Sequence, residues 1–391
     1  MLHGEAPVET AVAALEDSKT SKPAPSRFYR AELDVLRLMA FLMVFLDHGL
    51  PYTGVFADGR LLGSVRYAGS FGVCVFFMLS SFLITDLLER EHALTGTIQL
   101  RAFYVRRILR IWPLYFAFLF FDFFLQQILH TNSFPIGKLL AFLLLAGNWY
   151  VTRYDHSMTL SAPLWSISVE EQFYFIWPSF RKFVGRQGSI ILAIAMMIVS
   201  YIELARLCHH GGEMIWINIW PNSLVQFQFF STGALLSFAL RGRAPQFSTG
   251  TRLLLFATGV GMLIASPQLF LTQGLRFSNF GPGYLLINAG CIIIFLSFLG
   301  ESRLGKWGIL TYLGRISYGL YVFHWMVLSR TSRVAGALVS RHHVPEVVAQ
   351  GLMLMVALLL TTILAYLSYR FFETPILRYK KRFEVIRTRP V

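Results

Sequence analysis

Charge is scarce in this sequence. Asp, Glu, Lys and Arg make up 14% of the 391 residues, against about 25% in an ordinary soluble chain. Hydrophobic residues reach 55% and the mean hydropathy is +0.55. This excludes a water-soluble domain for most of the chain, which belongs in lipid. Cysteine is almost as rare. Cys74, Cys208 and Cys291 lie in or beside apolar runs with no paired spacing, so neither a disulfide framework nor a zinc cluster is indicated. Acidic residues are outnumbered, 21 against 35 basic ones, for a formal charge of +14. That excess does not indicate a nucleic-acid partner. The basic residues collect at the ends of apolar runs, as the positive-inside bias requires. No internal repeat, second soluble domain or cleavable signal peptide is evident. Residues 1–28, with "KTSKPAPS", read as a flexible cytoplasmic tail.

Long apolar runs dominate the remainder. A hydrocarbon core about 30 Å thick needs roughly 20 apolar helical residues. Such runs fall near 33–52, 68–89, 103–129, 162–181, 189–207, 217–240, 251–271, 283–299, 309–330 and 346–371. The shorter run 136–149, ending in "GNWY", reads as a re-entrant piece or an additional helix. The expected fold is therefore an all-α polytopic membrane bundle of about ten transmembrane helices. The membrane domain covers 29–377, followed by a basic tail over 378–391. Basic clusters at Lys22, Arg27 and Arg30, at Arg101–Arg110, at Arg181–Arg186, at Arg241 and Arg243, at Arg303 and Lys306, and at Arg378–Arg382 are placed in the cytoplasm. Ten crossings then put both termini inside. Arg330, Arg333 and Arg341 fall on the other side.

Against this background, polar residues within spans are functional candidates, because ionisable groups in lipid face the bundle interior or a water cavity. The run "APLWSISVEEQFYFIWP", residues 162–178, puts Glu170 and Glu171 side by side in an apolar stretch. The first run, "AELDVLRLMAFLMVFLDHG", holds Arg37 and His48. Eleven residues turn a helix by about 1100°, some 20° from register, and rise about 16 Å. Arg37 and His48 thus share a face, Arg37 near the cytoplasmic end and His48 in the outer half. Asp47 lies about 100° around the helix and need not point at His48. Glu170 and Glu171 lie about 12–14 Å below the outer surface, a level His48 and His324 share by the same count. A histidine and a carboxylate at matched depth suit a general base and its orienting partner. Ser166, Glu170 and Tyr174 recur at i, i+4 and make one helix face polar, while Glu171 and Gln172 turn to other neighbours. The bland alternative is that the carboxylates pair with arginines to lock helices together. In "RAFYVRRILRIWPLYF", Arg106, Arg107 and Arg110 offer planar guanidinium groups able to grip phosphates. The competing reading is an ordinary cytoplasmic anchor.

These pieces in this order resemble the acyltransferase family 3 membrane proteins. The resemblance covers roughly residues 28–377. It rests on "ELDVLR" with ten residues between Arg37 and His48, "FYVRRILRIWPLY", "LWSISVEEQFYFIWP", "ISYGLYVFHW" and "RFFETPILRY". It implies transfer of an acetyl or other short acyl group from cytoplasmic acyl-CoA to an extracytoplasmic or lipid-linked carbohydrate, in a bacterial-type cytoplasmic membrane, with no metal. By the same resemblance Arg37 and His48 are the family's arginine–histidine pair, and Arg107 and Arg110 its cytoplasmic Arg-x-x-Arg. Ser166, Val169, Glu170, Glu171 and Gln172 match its Ser-x-x-Val-Glu-Glu-Gln. The expected site then has His48, Glu170 and Arg37 in catalysis and Arg106, Arg107 and Arg110 on CoA. Ser166, Glu171, Gln172, Tyr174 and His324 would meet the acceptor. Some members carry a further SGNH-hydrolase domain after the membrane part. This chain ends shortly after its last run, so it is expected to act without one or with a partner. Proton removal by His48 and an acyl-histidine intermediate are both open at this point.

Two other classes compete. A proton-coupled transporter also buries His, Glu and Arg, but it predicts related halves or paired broken helices, which the sequence does not display. A non-catalytic assembly factor gives the depth-matched polar sites no purpose. On topology the expectation is direct: a reporter fused after Val391 reads out in the cytoplasm. An extracytoplasmic signal there would make 136–149 a full span.

Overall fold

The structure, a computed structural model, describes residues 29–50, 60–131, 134–154, 159–211, 215–271 and 276–386. The expected tail over 1–28 lies outside the described residues. All described elements are helical. They are α1 (Glu32–Gly49), α2 (Arg60–Ser70), α3 (Gly72–Thr95), α4 (Leu100–Ile128), α5 (Ile136–Leu143), α6 (Gly147–Tyr154), α7 (Trp165–Phe183), α8 (Gly185–His210), α9 (Ile215–Ile219), α10 (Ser223–Leu240), α11 (Thr249–Leu271), α12 (Phe277–Phe298), α13 (Gly308–Arg315), α14 (Ser317–His342), α15 (Glu346–Leu367) and α16 (Thr374–Tyr379).

Among the described residues, seven helical segments are long and apolar enough to cross a membrane: Leu61–Thr95, Leu100–Ile128, Gly185–His210, Ser223–Leu240, Thr249–Leu269, Phe277–Phe298 and Glu346–Phe383. The remaining runs read as spans correspond to α1, of 18 residues, to α7, of 19, and, for 309–330, to α13 with the first half of the 26-residue α14. These three carry Arg37 and His48, Glu170 and Glu171, and His324. The polar residues that mark candidate sites are also what lowers these helices' hydropathy.

The run 136–149 is two helices of eight residues, α5 and α6. Eight residues rise only about 12 Å, so neither crosses a bilayer. Their fold back is held by α7: Gln172 donates to the Leu145 carbonyl and to Asn148 Oδ1, each at 2.9 Å. The run expected to start at 162 begins with a 3₁₀ turn over Ala162–Leu164, and the α-helix starts only at Trp165. The expected basic tail over 378–391 is described as far as residue 386. Within the expected tail, Lys380–Phe383 is a 3₁₀ turn docked on α4, where Arg106 donates to the Phe383 carbonyl at 2.6 Å. A carbonyl left bare at a helix end needs a donor, and the guanidinium supplies it.

Helix α3 lies in the interior, packed by α1, α10 and α12, while α8, α11 and α15 form the outside. On α8, Ile191, Ile194, Ile198 and Ile202 recur every three or four residues and are all exposed, a face for lipid. Close approach in the interior uses small residues, as is common between membrane helices. A Cβ at Gly233 of α10 would overlap Met78 O and Ser81 Oγ of α3. The basic clusters meet at one end of the bundle. Arg30 donates to the Gly242 carbonyl at 2.9 Å, Arg186 to the Phe238 carbonyl at 2.8 Å, and Arg303 to Thr249 at 3.1 Å.

Helix α13 packs on the first turns of α1, and a Cβ at Gly314 would overlap the carbonyl group of Asp34. Gly314→Ala should therefore lower the thermal unfolding midpoint in detergent, by about 1–3 kcal/mol of overpacking. Gly308→Ala on the same helix has nothing within 4 Å of the new Cβ and should leave the midpoint in place. Equal midpoints for the two variants would refute the close approach.

Candidate active site

One cavity gathers much of the polar interior. Five helices line it: Arg37 of α1; Val73, Phe76, Phe77 and Ser80 of α3; Arg107, Arg110 and Ile111 of α4; Ser166, Ile167, Glu170 and Tyr174 of α7; and Ser317, Tyr318 and Tyr321 of α14. It contains about 700 Å³ of empty space, including its open part. The helix period explains the grouping. Ser166, Glu170 and Tyr174 on α7, and Arg107 and Arg110 on α4, are spaced to share a face.

The charges in it are unevenly matched. Arg37 donates to Asp34 Oδ1 at 3.1 Å, and Tyr29 donates to the other Asp34 oxygen at 2.8 Å. Arg107 and Arg110 have no carboxylate within ion-pairing distance among the described residues. Arg107 instead lies over aromatic rings, 5.1 Å from the Tyr174 centroid and 5.5 Å from that of Phe103. Glu170 Oε1 accepts from both Ser80 and Tyr174. Two unpaired guanidinium groups in a low-dielectric recess favour an anion strongly.

At the far side of this cavity Ser166 Oγ and Tyr321 OH are 2.7 Å apart, and both lie near the Pro163 carbonyl. The Tyr321 ring is 5.3 Å from the ring of His324. His324 is fully buried and its Nε2 lies 2.8 Å from His48 Nδ1. The histidine pair thus sits immediately beyond the cavity wall. His48 is the penultimate residue of α1, and its Nε2 is 4.0 Å from Asp47 Oδ2.

Several sequence expectations change here. The expected pairing of His48 with Glu170 is absent: His48 meets His324, and Glu170 meets Ser80 and Tyr174. The carboxylate near His48 is its chain neighbour Asp47, whose Oδ2 lies 4.0 Å from His48 Nε2. Arg106 is buried and tied to Glu91 at 3.4 Å and to the Phe383 carbonyl. Its position 100° from Arg107 turns it from the cavity, so it is a helix tie, not a third ligand-facing arginine. Glu171 is not locked to an arginine. It accepts from Trp112 Nε1 at 2.9 Å, and its other oxygen is buried without a partner. Gln172 accepts from Ser223 at 2.6 Å and holds the α5–α6 segment. Neither residue lines the cavity. Ser80, Tyr318 and Tyr321 were missed. Only the paired Ser80–Ser81 in an apolar run, and the position of Tyr321 inside "ISYGLYVFHW", signalled them. Among the described residues no group of three or more His, Cys, Asp or Glu is placed to hold a metal ion.

A polytopic helical membrane protein with an arginine-lined internal cavity and a histidine pair, half-buried His48 on buried His324, narrows the class. The acyltransferase domain family matches residues 30–370, and the chain belongs to that family. It is 29% identical over 382 residues to the putative peptidoglycan O-acetyltransferase YrhL of Bacillus subtilis, covering 89% of this chain and 55% of that protein. It is 26% identical over 379 residues to the peptidoglycan O-acetyltransferase OatA of Listeria monocytogenes, covering 90% and 56%. A putative O-acetyltransferase of Staphylococcus aureus is 25% identical over 379 residues, covering 89% and 57%. The chain spans a little over half the length of these relatives. No solved structure matches it.

The Glu170 contacts are open to a direct check. Tyr174→Phe keeps the ring under Arg107 and removes only the hydroxyl. It should lower stability by about 1.5–3 kcal/mol, the usual contribution of a hydrogen bond to a carboxylate, read as a lower unfolding midpoint. An unchanged midpoint would mean that Tyr174 does not support Glu170.

Proposed function

We propose that the protein is an integral membrane O-acyltransferase that moves an acetyl group from cytoplasmic acetyl-CoA to a hydroxyl of an extracytoplasmic carbohydrate. The observation that carries this is the convergence of Arg37, Arg107 and Arg110 on one cavity whose far wall, Ser166 and Tyr321, abuts the histidine pair. Ten crossings, with the basic end of the bundle in the cytoplasm, put the arginines towards the donor's side. Arg107 and Arg110 grip the anionic phosphates of CoA, where planar donors and a sheltered site make each bond strong. The pantetheine arm runs inward, past Glu170, towards Tyr321. The acetyl group follows from the O-acetyltransferase names of the relatives, and a cell-envelope polysaccharide is the acceptor those names favour.

The chemistry is a proton removal coupled to acyl transfer. The acceptor oxygen attacks the thioester carbonyl as His48 takes its proton. A C–O bond forms, the C–S bond breaks, and the departing thiolate of CoA takes up a proton. Arg37, fixed by Asp34, adds positive charge beside Arg107 and Arg110 at the phosphate end of the cavity. Glu170, held by Ser80 and Tyr174, shapes the path of the arm between the arginines and the histidines. In this reading transfer is direct, with His48 as the base, while Glu171 and Gln172 serve the scaffold.

The test is thioester cleavage by purified protein with acetyl-CoA and carbohydrate acceptors. His48→Ala should lose about 10²–10⁴-fold in turnover, the usual contribution of a positioned acid–base group. Its acetyl-CoA affinity should persist. Arg107→Ala and Arg110→Ala should each weaken acetyl-CoA binding by about 10–100-fold, with lysine restoring only part. Near-normal acylation by His48→Ala would remove it as the base, and unchanged donor affinity in both arginine variants would reduce those residues to anchors.

A further inference from the structure

His324 is completely buried, yet both of its ring nitrogens are engaged. Its Nδ1 is 2.5 Å from the Tyr321 carbonyl oxygen, three residues earlier on α14. A carbonyl oxygen only accepts, so Nδ1 carries a hydrogen. In the neutral ring the Nε2 lone pair is then free, and it points at His48 Nδ1, 2.8 Å away. Two nitrogens at that distance require one proton between them, which must sit on His48 Nδ1.

The ring geometry agrees. The two imidazoles are within 5° of parallel, with centroids 5.1 Å apart. For nitrogens 2.8 Å apart, that separation puts the rings edge to edge in nearly one plane, the orientation in which an N–H points along the partner's lone pair. Face-to-face stacking would bring the centroids closer. Phe41 packs against His324, T-shaped at 6.1 Å, and Trp325 against His48 at 5.3 Å, which fixes both planes.

We propose that His324 is a positioning residue that holds His48 in the tautomer protonated at Nδ1, leaving Nε2 as the basic atom. The proposal deepens the reading of His48 as the base and rests on it only for its effect on turnover. A second histidine here does what a carboxylate does in a serine hydrolase triad, selecting the tautomer and orienting the ring. When Nε2 accepts the acceptor's proton, an N–H bond forms there and His48 becomes an imidazolium. Its Nδ1–H still donates to His324 Nε2, and Asp47 Oδ2, 4.0 Å from Nε2, faces the new charge. Because a protonated imidazole has no lone pair to offer, His324 performs this task only while neutral, consistent with its sealed setting.

The tautomer is read independently of activity by ¹⁵N NMR of [¹⁵N]histidine-labelled full-length protein in lipid bilayers. The pH is held about two units above the ordinary imidazole value of ~6.5, and His48 is identified by its loss in His48→Gln. The expected spectrum has His48 protonated at Nδ1 and bare at Nε2. A proton on Nε2 in the wild type overturns the proposal, whatever the enzyme catalyses. Kinetics supply the second arm. His324→Phe keeps ring volume without an acceptor, and should lower kcat by at least about 10²-fold, the scale of a misplaced imidazole tautomer. The KM for acetyl-CoA should hold. His324→Gln restores an acceptor oxygen for Nδ1–H and should stay within about 10-fold of wild type. Equal losses in the two variants, or a loss confined to KM, would reduce His324 to packing. If His48→Ala acylates normally while the wild-type tautomer is as stated, the base assignment fails and the tautomer lock stands.

Discussion

Everything polar in this bundle answers to one constraint: a charge or hydrogen-bonding group in hydrocarbon needs a partner from another part of the chain. Most groups meet it structurally. Glu91 and the Phe383 carbonyl take Arg106, Trp112 takes Glu171, and the Ser161 amide takes Asp122. Arg252 caps the end of α12 through the Ser297 and Leu299 carbonyls. Arg107 and Arg110 are the contrast. They face a cavity without a carboxylate partner, so their charge is available to a ligand.

The same constraint sets the position of α7. Asn148 donates to the Pro221 carbonyl and to Ser223, Gln172 binds back to Asn148, and the buried Lys138 donates to Thr159. This network anchors the folded-back α5–α6 segment and the 3₁₀ turn that starts α7. A non-helical backbone at membrane depth is tolerated when protein surrounds it. The register of Ser166, Glu170 and Tyr174 against α3 and α4 follows from that anchor. Gln172, read from the sequence as an acceptor contact, belongs to this scaffold, and Glu171, read the same way, is held by Trp112 of α4; they lie two residues and one residue along the helix from Glu170.

The histidine pair depends on a different packing relation. Helices α1 and α14 touch where His48 and His324 meet, and the contact is made at the end of α1 rather than at mid-span. Counting residues from each apolar run put His48, Glu170 and His324 at one level. The level was useful for His48 and His324, and misleading for Glu170. Depth is one coordinate, and the azimuth of each helix about the bundle is another, which residue counting does not supply.

Composition and the length of apolar runs by themselves determined that this is a helical membrane protein, because lipid permits few other ways to satisfy a backbone. The five motifs in order likewise identified the family. The i, i+3 and i, i+4 spacings on one helix, Arg107 with Arg110 and Ser166 with Glu170 and Tyr174, were legible because helical geometry alone sets them. Which residues meet between helices was decided only by the tertiary structure. Nothing local to "VFLDHG" or "YVFHW" specifies that His48 takes His324 and leaves Glu170 to Ser80 and Tyr174. Nothing in "RRILR" says that Arg106 turns to Glu91 while Arg107 and Arg110 face the cavity. Those partners are fixed by how α1, α3, α4, α7 and α14 rotate and cross, and that follows from the packing of the whole bundle.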